Sequence, residues 1–70
     1  MNHEAILERL GRNIRKERII RKLSLEEVSL SCQIDRKYLS RIERGKVNPT
    51  VKIVNKIARY FRLRLDTLFR

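Results

Sequence analysis

Only three residues of this 70-residue chain break helices by their backbone chemistry: Gly11, Gly45 and Pro49. No run alternates apolar and polar residues between turn formers, so strands are not expected. The chain should therefore fold as helices joined by short turns, in one all-α domain spanning residues 1–70. A domain of about this length buries only about 60% of its unfolded surface, which leaves it marginal without help. Its single cysteine, Cys32, precludes an internal disulfide. No Cys/His group has zinc-site spacing, and a second subunit is the aid that remains.

Periodicity and caps place the helices. Over residues 3–21, Leu7, Gly11, Ile14 and Arg18 recur at helical spacing, with Leu10 beside them. Arg18 is a charge on an apolar stripe and needs a partner. Ser24 and Glu27 make a capping box that opens a short helix at about 25–32, facing inward with Leu25, Val28, Ser29 and Cys32 and leaving Leu30 outside. Asp35 can cap a helix at about 36–44, and Gly45 stops it as a left-handed residue. Asn48 or Thr50 caps a fourth, with Pro49 tolerated in its first turn and Val51, Val54, Ile57, Ala58 and Phe61 as its inner stripe. A last turn at about 65–69 carries Leu65, Leu68 and Phe69.

Charge narrows the function. The chain has 18 Lys+Arg against 8 Asp+Glu, a formal +10. Residues 1–33 hold seven basic and five acidic groups, whereas residues 34–70 hold eleven and three. Such a chain should bind a polyanion, most simply nucleic acid. At 41% apolar it is no disordered basic tail. No apolar run reaches the ~18 residues of a membrane span and no signal peptide is evident, so a cytoplasmic protein is expected. No carboxylate pair, activated nucleophile or glycine-rich phosphate loop supports catalysis, and no metal or cofactor is expected. His3 stands alone and is expected to carry no chemistry.

The densest charge lies in IDRKYLSRIERGKVNP, residues 34–49. At 100° per residue, Arg36, Lys37, Ser40, Arg41 and Arg44 share one ~140° arc, with Leu39 and Ile42 opposite. No acidic residue lies on that arc. The preceding helix is short and the turn at Gln33–Asp35 is tight. Two short helices, the second exposing donors, describe a helix-turn-helix at about 24–45.

The run LSLEEVSLSCQIDRKYLSRIERGKVNP resembles the Cro/C1-type (XRE) helix-turn-helix of phage repressors and many bacterial regulators. The likeness extends from Leu10 to Leu68. It is sharpest at Ser24-x-x-Glu27, at Tyr38-Leu39-Ser40-Arg41-Ile42-Glu43-Arg44-Gly45 and at Asn48-Pro49. IDRKYLSRIERGK is also similar to small controller proteins of restriction–modification systems. The resemblance implies a five-helix, lambda-repressor-like bundle that binds double-stranded DNA as a homodimer, with the 36–44 helix in the major groove. By position it assigns Arg36, Lys37, Ser40 and Arg41 to bases. Arg44, Lys46, Asn48 and the backbone N–H at Leu25 are assigned to phosphates. It also pairs Arg18 with Glu43, and suggests a dimer interface from the last helix with Phe61, Leu65, Leu68 and Phe69.

Several residues depart from the family pattern. Leu25 stands where glutamine is common, and Ser29 where alanine is. Gln33 and Arg62 replace glycines, which is strained wherever φ stays positive. Arg64 replaces a Ser/Thr cap. Tyr38 either sends its hydroxyl to phosphate or packs on the preceding helix. Lys52, Lys56 and Arg59 read as a solvated face. The function expected is sequence-specific regulation of transcription through an inverted-repeat operator. The alternatives are a DNA-binding antitoxin with a toxin partner, for which Leu30 and Ile53 would offer a patch, and a non-specific polyanion or membrane-surface binder.

Overall fold

The computed structural model describes residues 3–70, apart from the side chain of His3, so the expectation for that histidine lies outside the described residues. Its α-helices are α1 (His3–Ile20), α2 (Leu25–Cys32), α3 (Arg36–Glu43) and α4 (Val51–Tyr60), followed by a 3-10 helix at Leu65–Phe69. The fold is all-α, and the expected five-helix bundle is corrected to four α-helices and one 3-10 helix among the described residues. The last element is only five residues long, and no side chain caps it at Arg64. It closes instead with tighter bonds, from the Thr67 N–H to the Arg64 carbonyl at 3.1 Å and from the Arg70 N–H to the Thr67 carbonyl at 3.4 Å.

Side chains set the starts of three helices. Ser24 and Glu27 form the capping box of α2, each accepting from the other's backbone N–H at 2.9 Å. Asp35 caps α3 by accepting from the Tyr38 N–H at 3.1 Å. Thr50, not Asn48, caps α4, accepting from the Ile53 N–H at 3.1 Å. Helix α4 therefore begins at Val51, and Pro49 lies before the cap, buried, rather than in the first turn. Val51, expected on the inner stripe, is 68% exposed. It sits about 60–70° off the line of Val54, Ile57, Ala58 and Phe61, in the first turn of the helix.

All four α-helices end alike. The chain turns left-handed at Lys22 (φ 57°), Gln33 (58°), Gly45 (70°) and Arg62 (59°). The next N–H then reaches back five residues: Leu23 to Arg18, Ile34 to Ser29, Lys46 to Arg41 and Leu63 to Ala58, at 2.8–3.1 Å. Leu23, Ile34 and Leu63, the apolar residues after three of these turns, pack against the core, which fixes where each chain segment leaves its helix. Lys22 was not anticipated among the strained positions. Gly at positions 22, 33 or 62 would relieve a left-handed penalty of about 1–2 kcal/mol, partly offset by a floppier unfolded chain. Each of Lys22→Gly, Gln33→Gly and Arg62→Gly is expected to raise stability by about 0.5 kcal/mol, nearly additively, as read from urea midpoints.

The core draws on every element: Leu10 and Ile14 of α1, Val28 and Cys32 of α2, Leu39 and Ile42 of α3, Val54, Ile57 and Ala58 of α4, then Phe61 and Leu68. Phe61 (3% exposed) and Leu68 (0%) thus pack inside the protomer, which corrects their assignment to a dimer surface. The small core needs these two large side chains for itself. Of that set, Leu65 is half-buried and Phe69 is 39% exposed.

Two long-range polar ties secure the C-terminal end. The Asn13 amide donates to the carbonyls of Leu68 (2.8 Å) and Arg70 (2.9 Å), holding the 3-10 helix on α1. Arg21 donates to the Phe61 carbonyl at 3.0 Å and lies over the Phe61 ring at 4.8 Å, while Glu17 holds the same guanidinium from one turn back.

Candidate nucleic-acid interface

Helix α3 is pressed onto the bundle by Leu39 and Ile42, which are 0% and 1% exposed. Their burial fixes the rotation of the helix. It leaves Arg36, Lys37 and Arg41 in solvent and Ser40 half-buried between them.

Both acidic residues of the stretch are engaged by other parts of the protein. The Asp35 carboxylate caps α3, and Glu43, 8% exposed, faces α1. There its carboxylate accepts two bonds from Arg18, from Nε at 2.7 Å and from Nη2 at 3.0 Å. Arg18 Nη1 donates to the Leu23 carbonyl at 2.9 Å, so one guanidinium ties α1, α3 and the turn into α2. The hydrogen bond to Glu43 raises the Arg18 pKa, burial works against it, and the Glu43 charge adds to the rise. Among the described residues, no carboxylate pairs with Arg36, Lys37, Arg41, Arg44 or Lys46.

The residues assigned to DNA fall into two groups. Leu25, at the start of α2, and Arg36, Lys37, Ser40, Arg41 and Arg44 line one open cleft between α2 and α3. Lys46 and Asn48 are exposed in the loop beyond, outside that cleft. Arg44 leans back along its own helix, with Nε 3.4 Å from the Ser40 carbonyl. Tyr38 is half-buried against the core, which favours the packing role. At the start of α2 the capping box engages the Ser24 and Glu27 N–H groups, leaving those of Leu25 and Glu26 pointing outward as a helix N-terminus provides. Glu26 and Glu27 in the same turn lower the pull on an anion there.

Other charged and reactive residues lie elsewhere. Cys32 is a core residue whose burial pushes its thiol pKa up, with nearby Lys56 opposing. Among the described residues no His, Cys, Asp or Glu cluster could hold a metal ion. No described helix is long and apolar enough to cross a membrane. Sequence reasoning missed what Gly11, Asn13 and Arg21 do. Only Arg21 carried a signal, Glu17 at i−4, and that spacing is common on any solvated helix.

The arrangement matches known proteins along nearly its whole length. A helix-turn-helix family model, HTH_3, aligns with residues 14–68. An uncharacterised HTH-type transcriptional regulator of Methanocaldococcus jannaschii is 29% identical over 52 residues, covering 74% of this chain and 79% of that protein. Among solved structures, the restriction-modification controller protein C.AhdI from Aeromonas hydrophila superposes with a TM-score of 0.88 at 29% identity, covering 93% of this chain and 98% of that one. The hypothetical transcription factor NHTF from Neisseria gives 0.89 at 26% identity, covering 100% and 80%. Since that family model spans the capped α2, the left-handed turn at Gln33 and the cationic α3 and covers most of the chain, the chain belongs to the HTH_3 helix-turn-helix family.

Proposed function

We propose that this protein is a DNA-binding transcriptional regulator that lays α3 in the major groove and binds an inverted-repeat operator as a homodimer. The observation that carries the reading is the division of charge within residues 34–48. Both carboxylates are engaged, Asp35 at the cap of α3 and Glu43 with Arg18, so the exposed face of α3 presents unpaired cations, Arg36, Lys37 and Arg41, around the Ser40 hydroxyl. The matching proteins named as transcriptional regulators or controllers support the same reading. Arg or Lys donating to guanine O6 and N7 is the commonest specific contact in that groove. Arg44, Lys46, Asn48 and the Leu25 N–H would hold the flanking phosphates.

A dimer would use the apolar surface left at the C-terminal end, Leu65 and Phe69, and would space its half-sites about 34 Å apart. Leu68→Asp would disrupt the protomer's own core and cannot report on association. Phe69→Asp is expected to give a folded monomer by sedimentation. A Phe69→Asp protein that stays dimeric removes this surface from the interface.

The functional test selects binding sites from random duplex DNA at about 0.15 M salt with excess competitor, which suppresses the non-specific electrostatic contribution. A two-fold motif is expected. Arg36→Ala or Lys37→Ala should abolish the preference for particular guanines, by about 1–3 kcal/mol for each bidentate contact. Lys46→Ala should weaken all sequences alike and reduce the salt slope by about one. Recovery of nothing above background would reduce the cationic face to a general polyanion surface and end the regulator reading. Co-purification of a stoichiometric second protein that blocks DNA binding would favour the antitoxin role instead.

A further inference from the structure

We propose that Leu25 reads DNA sequence, by packing on a 5-methyl group in the major groove, carried by thymine or by 5-methylcytosine. The inference rests on the major-groove reading of α3 and adds to it a residue that donates nothing through its side chain.

Three features of the cleft point to this ligand. Leu25 is half-buried: part of its side chain packs on the core and part forms a wall of the cleft, facing Lys37, Ser40 and Arg41 across it. Ser40 is the one short side chain on the exposed arc of α3, so the cleft wall there is low and flanked by long cations. Among the described residues, nothing fills that recess. An apolar wall inside a cationic rim matches a base edge flanked by phosphates. Of the groups on the major-groove edge, only the pyrimidine 5-methyl is apolar. The leucine side chain offers no partner to a polar edge, so a polar base edge seated against it would lose solvation on that side, whereas a methyl group loses none.

The arrangement also divides labour within one residue. The Leu25 N–H lies outside the capping box at the start of α2, while its side chain lines the cleft beside α3. A phosphate on the first and a methyl on the second would fix the depth at which α3 sits.

The test uses the intact protein and the operator recovered by selection. Each thymine of a half-site is replaced in turn by deoxyuridine, which removes only the methyl group. One position per half-site is expected to lose about fourfold in affinity, the scale of one buried methyl. That loss should vanish in Leu25→Ala, whose fold is checked by circular dichroism, and should be smaller in Leu25→Gln. At the same position 5-methylcytosine should exceed cytosine by a similar factor. A preference for 5-methylcytosine there, with no thymine recovered from unmethylated libraries, would identify methylated DNA as the source. If a specific operator is recovered but wild-type protein shows less than a twofold difference at every thymine–uracil and methylcytosine–cytosine pair, the methyl contact is refuted while the regulator reading stands. If no preferred sequence is recovered, both are overturned.

Discussion

Gly11→Ala is expected to lower stability by about 2–3 kcal/mol and the melting temperature by about 10–20 °C, although alanine is the better helix former by about 1 kcal/mol. A Cβ at position 11 would lie 2.5 Å from the carbonyl oxygens of both Ile42 and Glu43 and 2.8 Å from the Glu43 carbonyl carbon. These are backbone atoms in the last turn of α3, so no rotamer change can make room. Helix α3 must move off α1, and its movement opens the core around Ile14 and Ile42, both 0–1% exposed. Because the same helix carries Arg36, Lys37 and Arg41, the shift should also weaken specific DNA binding at temperatures where the variant remains folded. Thermal unfolding of Gly11→Ala beside Leu7→Ala, a half-buried position on the same stripe, checks the steric argument. A Gly11→Ala protein that melts with the wild type would show that the crossing has room for a methyl group.

That crossing marks the boundary of what the sequence discloses. Local signals were legible because each is written in adjacent residues: Ser24 with Glu27, Asp35 before α3, and Gly45 after it all act where their spacing placed them. The core stripes were legible too, since 3.6-residue periodicity depends on the helix alone. Gly11 was visible only as a member of a stripe. That it must be glycine depends on two backbone carbonyls more than thirty residues away, and no local pattern records a close approach. The same limit explains Asn13 and Arg21, whose partners are the carbonyls of Leu68, Arg70 and Phe61. It explains Phe61 and Leu68 as well. Their apolar character was plain, but whether an apolar residue serves the protomer or a partner is decided by how much core the rest of the fold supplies. For the candidate interface, the arc of Arg36, Lys37, Ser40 and Arg41 followed from helical geometry, whereas the wall that Leu25 adds to it comes from the packing of α2 against α3.

Glu43→Ala is expected to destabilise the protein by about 3 kcal/mol, the lower end of the range for breaking a buried pair. The Arg18 side chain is 13% exposed and that of Glu43 5%, so removing the carboxylate leaves a guanidinium with little access to water. The Leu23 carbonyl would remain as its one hydrogen-bond partner, which tempers the loss without removing it. Acidity offers no escape on the arginine side. The bond to Glu43 raises the folded-state pKa above its unfolded value. The stability it confers is therefore fully present below that unfolded value and is lost only at still higher pH. Glu43→Gln, which keeps an acceptor but not the charge, should fall between wild type and alanine. Arg18→Met combined with Glu43→Leu should recover most of the stability, because two apolar side chains of similar volume leave no charge stranded. A double-mutant cycle of Arg18→Met, Glu43→Leu and the double variant, read by urea unfolding, measures the coupling, expected at about 2–3 kcal/mol. A coupling within 0.5 kcal/mol of zero would mean that the pair contributes nothing beyond two independent side chains. Glu43 meets Gly11 through its backbone and Arg18 through its side chain, and those two residues lie about two turns apart on one stripe of α1. Glu43→Ala and Gly11→Ala should therefore combine to less than the sum of their separate losses, since once α3 has lifted from α1 the ion pair is already broken.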